Sequence, residues 1–218
     1  KKLLRNITNK LELINTNQVN YFSLSNSIKN GKTICYPTET LYGLGCAIDN
    51  DQAIAKLYEI KSREKEKKFS ILFKDIKMLE TYCEFNDTEK DLILHFMPGP
   101  LSMLLTIRDK NLIKDSLIGS NNKINCRVSS HPFIINLFQH LDVPIISTSA
   151  NISGEKNMFT FKKIYNTFHD LVDIIIDDGN IKSSSGSTII ELNGKEIKII
   201  REGDIKEKDI MVFLHGRN

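Results

Sequence analysis

Small polar side chains crowd one stretch of the chain, which reads Ser147-Thr-Ser-Ala-Asn-Ile-Ser-Gly154. Its hydroxyls, carboxamide and free backbone N–H groups are the kinds of group that bind phosphate and ribose oxygens. The apolar run 143–146 predicts a short buried strand that ends where the polar stretch begins. Ligands of open α/β sheets bind outside the carboxyl ends of strands, which predicts a binding loop here. An ordinary polar loop is the alternative, because turn residues cluster in all loops.

A second polar stretch, Tyr36-Pro-Thr-Glu-Thr40, also follows a predicted strand, at 32–36. Its proline fixes the direction of the chain, while its two threonines and its glutamate offer two hydroxyls and a carboxylate. The glycines of the next segment, 42–45, predict a turn or a close approach of the backbone to a ligand. A bare turn without a ligand is the alternative interpretation.

Cationic side chains gather at the end of a predicted helix. The polar segment 49–51 can cap this helix, which delivers Lys61 and then Arg63 at its C-terminal end. Three more lysines follow, at positions 65, 67 and 68. A lysine point charge and a forked guanidinium two residues apart can hold a triphosphate from two sides. The alternative is a solvated run of charge.

Several familiar motifs are excluded by their context. The tripeptide Gly31-Lys-Thr33 precedes a predicted strand and lacks the earlier glycine of a phosphate-binding P-loop. The tripeptide Gly43-Leu-Gly45 lacks the third glycine of a dinucleotide fingerprint, because residue 48 is isoleucine. The five histidines form no metalloprotease motif, and the four cysteines form no zinc or redox pair. A hydrolytic triad or a zinc centre therefore has no support in the sequence.

Composition indicates a single globular domain. The chain has 218 residues, of which 40% are hydrophobic and 26% are charged. Its net charge of +3 permits a polyanionic partner without demanding one. No apolar run reaches the roughly 18 residues of a membrane helix, so we expect a cytoplasmic protein without a membrane partner. We predict a loose N-terminal arm over 1–19, one domain over 20–205 and a helical tail over 206–218.

Helical and extended patterns mix along the chain. Besides the helix that begins at the 49–51 cap and ends at 61–63, helices are predicted near 21–30, 75–83, 88–96, 132–141, 160–169 and 205–214. Strands are predicted at 32–36, 69–73, 101–107, 124–128, 143–146, 171–176, 188–192 and 195–200. The dipeptide Asn193-Gly194 is a strong hairpin turn between the last two strands. Strand–helix alternation together with hairpins predicts an α/β fold with a twisted mixed sheet.

Taken together and in order, these motifs resemble the YrdC/Sua5 family over about residues 20–205. The resemblance is carried by Tyr36-Pro-Thr-Glu-Thr40 with Tyr42-Gly-Leu-Gly45, Lys61-x-Arg63, Pro98-Gly-Pro100, Arg127-Val with His131-Pro132, Ser147-Thr-Ser-Ala-Asn151 with Ser153-Gly154, and Ser187-Thr188 with Arg201-x-Gly203. Each motif is weak alone, whereas six in register make a specific match. The resemblance implies a YrdC-like twisted sheet with flanking helices and a large concave basic cleft.

The resemblance also implies an activity. Family members are threonylcarbamoyl-AMP synthases, which combine L-threonine, bicarbonate and ATP and release pyrophosphate. The product supplies the threonylcarbamoyl group of a modified adenosine next to the tRNA anticodon. We therefore expect Mg²⁺ to accompany ATP, tRNA to be met indirectly or weakly, and other proteins of the tRNA modification pathway to be partners.

Site residues follow from the resemblance, motif by motif. Lys61 and Arg63 are implied as ligands of the ATP phosphates, and they are the best candidates for electrostatic catalysis. Ser149 and Asn151 are implied as the pair that holds nucleotide or Mg²⁺-bound phosphate. The remaining residues are two further nucleotide contacts, Ser187 and Arg201, and three contacts near threonine, Thr38, Arg127 and Tyr36.

One departure from the family pattern keeps other functions open. Many members carry prolines after the K-x-R motif, but here the run is Lys61-Ser-Arg-Glu-Lys-Glu-Lys-Lys-Phe69. This segment resembles the YciO-type paralogues, while the intact Ser149-Ala-Asn151 points to the synthases. A module that binds double-stranded RNA or tRNA without catalysis is a second alternative, and a carbamoyl-transfer domain of hydrogenase maturation is a third. The length of the chain is expected to correspond to the short form, without the C-terminal domain of the longer Sua5 proteins.

Overall fold

The computed structural model describes residues 11–119, 121–194 and 196–216. Polar caps begin several of its helices: the side chains of Asn20, Asn50, Asp75 and Asn86 each accept a bond from the backbone N–H three residues on, at 2.8–3.0 Å. These bonds satisfy N–H groups that a first helical turn leaves free. The helices are α1 Tyr21–Lys29, α2 Asp51–Lys61, α3 Ile76–Tyr82, α4 Asp87–Phe96, α5 Pro132–Leu137, α6 Phe161–Phe168 and α7 Glu207–His215.

Within the described residues, eleven strands form one mixed sheet. They are β1 Glu12–Asn15, β2 Ile34–Tyr36, β3 Gly43–Gly45, β4 Ser70–Phe73, β5 Cys83–Glu84, β6 Leu101–Ile107, β7 Lys123–Val128, β8 Ile145–Ser149, β9 Ile174–Asp177, β10 Thr188–Asn193 and β11 Glu196–Arg201. Their order across the sheet is β1-β9-β2-β3-β8-β4-β7-β6-β10-β11, and β5 pairs with β6 at one side. The predicted α/β fold with a mixed sheet and flanking helices is confirmed.

Alternate residues of the central strands face two separate cores. The larger core receives Cys35, Ile71 and Ile146 from the sheet and is covered by α2, α3, α4, α6 and α7. The smaller core receives Ile34, Leu72 and Ile145 and is covered by α1 and α5. Because side chains alternate along a strand, residues 70, 125 and 147 share the face of the smaller core. The two short helices cover only part of that face, and the candidate site occupies the rest.

The structure corrects two local predictions from the sequence. Residues 147–149 belong to β8, which runs to Ser149, so the predicted binding loop begins inside a strand. Residues 43–45 form β3, between β2 and β8, and are not a turn. A Cβ on Gly43 would lie 3.1 Å from the Tyr36 ring, and one on Gly45 would clash with the Ile146 carbonyl oxygen and lie 2.9 Å from the same ring. Gly43 also borders the candidate site, so a close approach of its backbone to a ligand stays a prediction.

The ends of the predicted domains are partly described. Glu12–Asn15, within the N-terminal arm predicted over 1–19, pair in parallel with β9. Residues 1–10, 217 and 218 lie outside the described residues. The predicted helical tail contains α7, whose Ile210 is fully buried in the larger core. No helix in the described ranges is both long and apolar enough to cross a membrane.

Candidate active site

Polar side chains from three adjacent strands form the floor of a cleft of about 130 Å³. Ser147 of β8 lies opposite Ser70 of β4, and Ser70 lies opposite Asn125 of β7. The strand ladder therefore sets these three side chains in a single row across the uncovered face. The Asn125 Nδ2 donates to the Ser70 Oγ at 2.7 Å.

The 38–41 turn forms one wall of the cleft and is organised by a single hydroxyl. The Thr38 Oγ1 donates to the Leu41 carbonyl at 2.6 Å and accepts from the N–H groups of Thr40 and Leu41, both at 3.2 Å. A side-chain hydroxyl that closes a turn in this way substitutes for backbone bonds. The same oxygen lies 3.1 Å from the Thr40 hydroxyl. Thr38 thus lines the cleft and also fixes the wall that carries Thr40.

Arg127 lies at the base of this wall, paired with the glutamate of the turn. Its Nη2 is 2.9 Å from a Glu39 carboxylate oxygen and donates to the Thr40 Oγ1 at 3.2 Å. Its Nε donates to the Gly99 carbonyl at 3.1 Å, which gives the Pro98-Gly-Pro100 motif a structural role. Burial raises the pKa of Glu39, but Arg127 and the hydroxyl of Ser129 outweigh it, so the pKa lies below its ordinary value. The ion pair fixes the guanidinium in place.

Arg63 lies across the cleft and has no carboxylate partner among the residues described. Its Nε donates to the Lys67 carbonyl at 2.6 Å, and its Nη2 donates to the Lys68 carbonyl at 2.9 Å. Its guanidinium carbon lies 5.2 Å from the centre of the Phe69 ring. Burial lowers its pKa. These contacts, with the bond from the Lys67 N–H to the Glu64 carbonyl at 3.1 Å, hold the 64–68 loop in a compact turn.

Arg201 closes the third side of the cleft through a serine pair. Its Nε and Nη2 donate to the Ser187 carbonyl at 3.1 and 2.6 Å, and the Nη2 also donates to the Ser187 Oγ at 3.0 Å. The Ser102 hydroxyl donates to the same Oγ at 3.0 Å. Burial lowers the pKa of Arg201, and the nearby Arg127 and Arg63 lower it further. All three arginines therefore share one cleft.

Lys61 does not line the cleft but lies behind its wall. Its side chain is 2% exposed, and its Nζ donates to the Ser149 carbonyl at 2.6 Å. The same Nζ donates to the Asn151 carbonyl at 2.6 Å and to the Asn151 Oδ1 at 2.8 Å. Burial, and then Arg63, lower the pKa of Lys61 to about 7. Because an ammonium has three donors, Lys61 would have to release one acceptor to reach a phosphate.

The Ser149–Asn151 pair offers an oxygen to the cleft. The Ser149 Oγ donates to the Asn151 Oδ1 at 2.7 Å, so its lone pairs are left for other partners. The Asn151 Nδ2 donates to the Glu155 carbonyl at 2.7 Å. A hydroxyl oxygen whose proton is turned away fits a hard cation such as Mg²⁺. The cleft lining of the described chain contains no carboxylate, so this donor set suits a Mg²⁺ carried by phosphates rather than a resident ion.

The structure gathers most of the predicted site residues and separates three of them. Thr38, Arg63, Arg127, Ser149, Ser187 and Arg201 line the cleft. Lys61 and Asn151 support the wall, whereas Tyr36 has no exposed surface and donates its hydroxyl to the Ile146 carbonyl at 3.1 Å. The sequence reasoning missed Ser70, Ser102 and Asn125 among the polar lining residues, while Thr40 and Lys68, which belong to predicted motifs, also line the cleft.

The missed residues carried a weak signal. Asn125 stands two residues before Arg127 in the alternating polar and apolar pattern of β7, so the two share a face of that strand. Ser70 opens the apolar run of β4 and points to the same side as Leu72. A polar residue on the inward face of a strand indicates a polar floor when a charged residue shares that face. The arrangement can bind a polyanion over a neutral floor of hydroxyls and amide.

Comparison with known proteins gives similarities over most of the chain. The Sua5/YciO/YrdC family model, described as telomere recombination, matches residues 26–203. A Methanocaldococcus jannaschii protein provisionally named threonylcarbamoyl-AMP synthase is 39% identical over 182 residues, covering 84% of this chain and 84% of that protein.

Solved structures with the same fold include members of two branches. A variant of P. abyssi Sua5 matches with a TM-score of 0.83 and 26% identity, covering 91% of this chain and 62% of that one. Sua5 of P. abyssi complexed with L-threonine matches with a TM-score of 0.85 and 24% identity, over 94% and 60% of the two chains. E. coli YciO matches with a TM-score of 0.82 and 23% identity, over 92% and 98%. The chain thus spans about three-fifths of the length of the Sua5 proteins.

Proposed function

Because this chain belongs to the Sua5/YciO/YrdC family, we propose that it is a threonylcarbamoyl-AMP synthase. In this proposal it forms threonylcarbamoyl-AMP and pyrophosphate from L-threonine, bicarbonate and ATP. The product serves the modification of the adenosine next to the anticodon in tRNA. A cytoplasmic location, indirect or weak contact with tRNA, and further proteins that complete the modification are parts of the same proposal.

One observation carries the proposal: among the described residues Arg127 is paired with a carboxylate, whereas Arg63 and Arg201 are not, and we call the surroundings of the first the balanced end of the cleft and those of the other two the cationic end. At the balanced end, Arg127 is paired with Glu39, beside the Thr38 turn. Arg127 and the Thr40 hydroxyl face this end of the cleft, whereas Glu39 does not line it, so a partly neutralised guanidinium and a hydroxyl are offered to the carboxylate of threonine. At the other end, Arg63 and Arg201 bond only to neutral oxygens among the described residues, which suits the several charges of ATP. P. abyssi Sua5, which shares the fold, was crystallised with L-threonine.

The reaction brings two anions together, and the cleft supplies the opposing charge. The threonine amine attacks carbon dioxide derived from bicarbonate and loses a proton, which gives an N-carboxylate. An oxygen of that carboxylate attacks the α-phosphorus of ATP, and the bond to the β-phosphate oxygen breaks to release pyrophosphate. Cations that hold both reactants lower the repulsion between them and stabilise charge in the transition state. Holding the short-lived N-carboxylate beside ATP supplies the remainder through proximity.

No covalent nucleophile is required for this chemistry. Arg63, Lys68 and Arg201 would hold the triphosphate, and Thr38 with Arg127 would hold threonine. Mg²⁺ bound to ATP would neutralise the leaving pyrophosphate, with the Ser149 oxygen as the nearest fitting protein ligand. Lys61 would act on the phosphates indirectly, by holding the backbone and amide of the Ser149–Asn151 segment.

Threonine-dependent release of pyrophosphate tests the proposal. The full chain is incubated with ATP, Mg²⁺, bicarbonate and labelled threonine, and both pyrophosphate and labelled threonylcarbamoyl-AMP are measured. The expected result is equal amounts of the two products, lost when bicarbonate is removed. A homologous synthase run in parallel is the positive control. Threonine-independent binding of ATP with no product would instead support a YciO-like protein, and salt-dependent binding of RNA without ATP binding would support an RNA module.

A further inference from the structure

One hydrogen bond restricts the direction of the Ser70 hydroxyl at the centre of the cleft floor. Its oxygen accepts a bond from the Asn125 Nδ2 at 2.7 Å. No residue in the described ranges accepts the Ser70 proton. A hydroxyl whose oxygen is already engaged by a donor offers its proton elsewhere. Because Ser70 lines the cleft, the geometry points to a donor directed at bound substrate.

We infer that Ser70 donates a hydrogen bond to an anionic oxygen of the bound substrate, with Asn125 as the residue that orients it. The inference rests on the proposed function, since it assigns a further contact in the same cleft. The oxygen belongs either to an ATP phosphate or to a carboxylate of threonine or its N-carboxylate. Both are anionic oxygens, and they accept hydroxyl protons in the same geometry.

The charges around Ser70 favour an anion over other ligands. Arg63, Lys68, Arg127 and Arg201 line the same cleft, and no carboxylate is in its described lining. A ligand that enters is therefore anionic where it faces these side chains. In the low dielectric of a partly closed cleft, a hydrogen bond from a neutral donor to an anionic oxygen is stronger than a hydrogen bond between two neutral groups.

Ser70 of the floor and Ser149 of the wall have opposite hydrogen-bonding roles: one accepts from its asparagine and the other donates to its asparagine. The Ser149 hydroxyl gives its proton to Asn151 and leaves an oxygen for the ligand. The Ser70 hydroxyl receives a proton from Asn125 and leaves its own proton for the ligand. One serine therefore suits a cation and the other suits an anion, which is what a metal-bound phosphate presents. Asparagine partners determine this difference in both cases.

The Asn125 amide makes its hydrogen bond with Ser70, and its other polar atom is buried. Its Oδ1 is fully covered and has no hydrogen-bond partner. A buried acceptor without a donor costs free energy, so the bond between Nδ2 and Ser70 is what the side chain gains in this position. Removing that bond should release the Ser70 hydroxyl to rotate among several directions. Asn125 is thus a positioning residue that acts through Ser70.

Direct binding measurements test the inference without requiring turnover. The dissociation constants of non-hydrolysable ATP with Mg²⁺ and of L-threonine are measured by calorimetry for the wild type, Ser70→Ala and Ser70→Thr. We expect Ser70→Ala to lower the affinity for one of the two ligands about 10-fold, and Ser70→Thr to keep the affinity of the wild type. A change for ATP assigns the phosphate, and a change for threonine assigns the carboxylate. Ser25→Ala, which changes a buried serine of α1 outside the cleft lining, is the matched control and should change neither constant.

A double-mutant cycle tests the role of Asn125. Asn125→Ala should lower the affinity for the same ligand as Ser70→Ala does, by about 3- to 10-fold. In the Ser70→Ala background, Asn125→Ala should have no further effect on affinity, because the hydroxyl it orients is gone. Equal effects in both backgrounds would overturn the positioning role. Thermal unfolding of each variant shows that the protein is folded at the temperature of the titration.

The outcomes separate this inference from the proposed function. If the wild type makes threonylcarbamoyl-AMP but Ser70→Ala keeps both dissociation constants, the inference is overturned and the function stands. If no product forms but Ser70→Ala weakens ATP and Ser70→Thr restores it, the inference stands for an ATP site and the function fails. A loss of ligand affinity in both Ser70 variants, together with a lower unfolding temperature, would indicate that Ser70 has a packing role and would also overturn the inference.

Discussion

The two ends of the cleft hold their arginines in different ways. Arg127 is buried and paired with Glu39, so that end carries little net charge. Arg63 and Arg201 bond to carbonyl and hydroxyl oxygens only, among the residues described, so the other end keeps its positive charge. All three guanidiniums are held by hydrogen bonds, but within the described residues only Arg127 has its charge balanced by a carboxylate. An ion pair fixes the orientation of a guanidinium, whereas a guanidinium without a carboxylate partner keeps its charge for an anionic ligand.

Loss of Arg63 should have the largest effect on this comparison. We expect Arg63→Ala to cost about 2–4 kcal/mol of transition-state stabilisation, or roughly 30- to 1,000-fold in kcat/KM. Arg63→Gln keeps a donor for the loop carbonyls but removes the charge, so it should be nearly as impaired. Lys65→Ala removes an exposed cation from the same loop and serves as the control. Unchanged steady-state kinetics in Arg63→Ala would remove this residue from the site.

Loss of the ion pair should affect stability more than ATP binding. Glu39→Gln leaves the Arg127 guanidinium buried without its counter-charge, which should lower the free energy of unfolding by about 2 kcal/mol. Denaturation in urea measures this loss. Glu64→Gln, which breaks an exposed pair with Lys67, is the matched control and should be nearly neutral. If both variants unfold alike, the balanced end is no more than a surface contact.

A conservative change at Arg201 should have a smaller effect. Arg201→Lys keeps the charge but cannot make the forked contact with Ser187. We expect a cost of about 1 kcal/mol, seen as a roughly 5-fold rise in the KM for ATP. The KM for threonine should not change, because the altered residue belongs to the cationic end. A rise in the threonine KM alone would reverse the assignment of the two ends.

The smallest expected effect is a pH dependence of stability at the balanced end. The pKa of Glu39 in the folded protein lies below its ordinary value of 4.5. The ion pair therefore stabilises the fold above that ordinary value, and the contribution is lost as the pH falls through the lower folded pKa. Urea denaturation across this range should show a steeper fall for the wild type than for Glu39→Gln. Parallel curves would show that the Glu39 carboxylate is not held by Arg127.

The sequence predicts the elements of this fold well because their signals are local. Polar caps and apolar spacing predict the helices, as in α2, whose Asn50 cap lies within the predicted 49–51 segment. The order of the sheet is not local, because β8 inserts between β3 and β4. Residues 147–149 look like a loop from their polarity, yet their partners in the sheet make them a strand. Tertiary pairing overrides local propensity there.

The sequence predicts most of the residues of the candidate site, but it does not indicate which of them line the cleft and which are buried behind it. Six predicted residues line the cleft, because each motif marks a place where polar groups follow apolar ones. Burial is what the motifs do not reveal: Lys61 and Tyr36 look like ligand contacts, yet both lie in the interior. The ion pair between Glu39 and Arg127 joins residues far apart in the chain, so no local pattern indicates it. Residues such as Ser70 emerge only once the register of the strands is known.

The extension of β8 to Ser149 has a consequence for the entropy of ligand binding. Strand residues lost their conformational freedom when the protein folded, so their hydroxyls are already ordered before a ligand arrives. A loop in the same place would become ordered only on binding and would oppose it with an entropy cost of roughly 1–2 kcal/mol per residue. Calorimetry should therefore give a small unfavourable entropy for ligands that contact this wall. Such a wall tolerates little adjustment, so it should reject close analogues of its substrate rather than adapt to them.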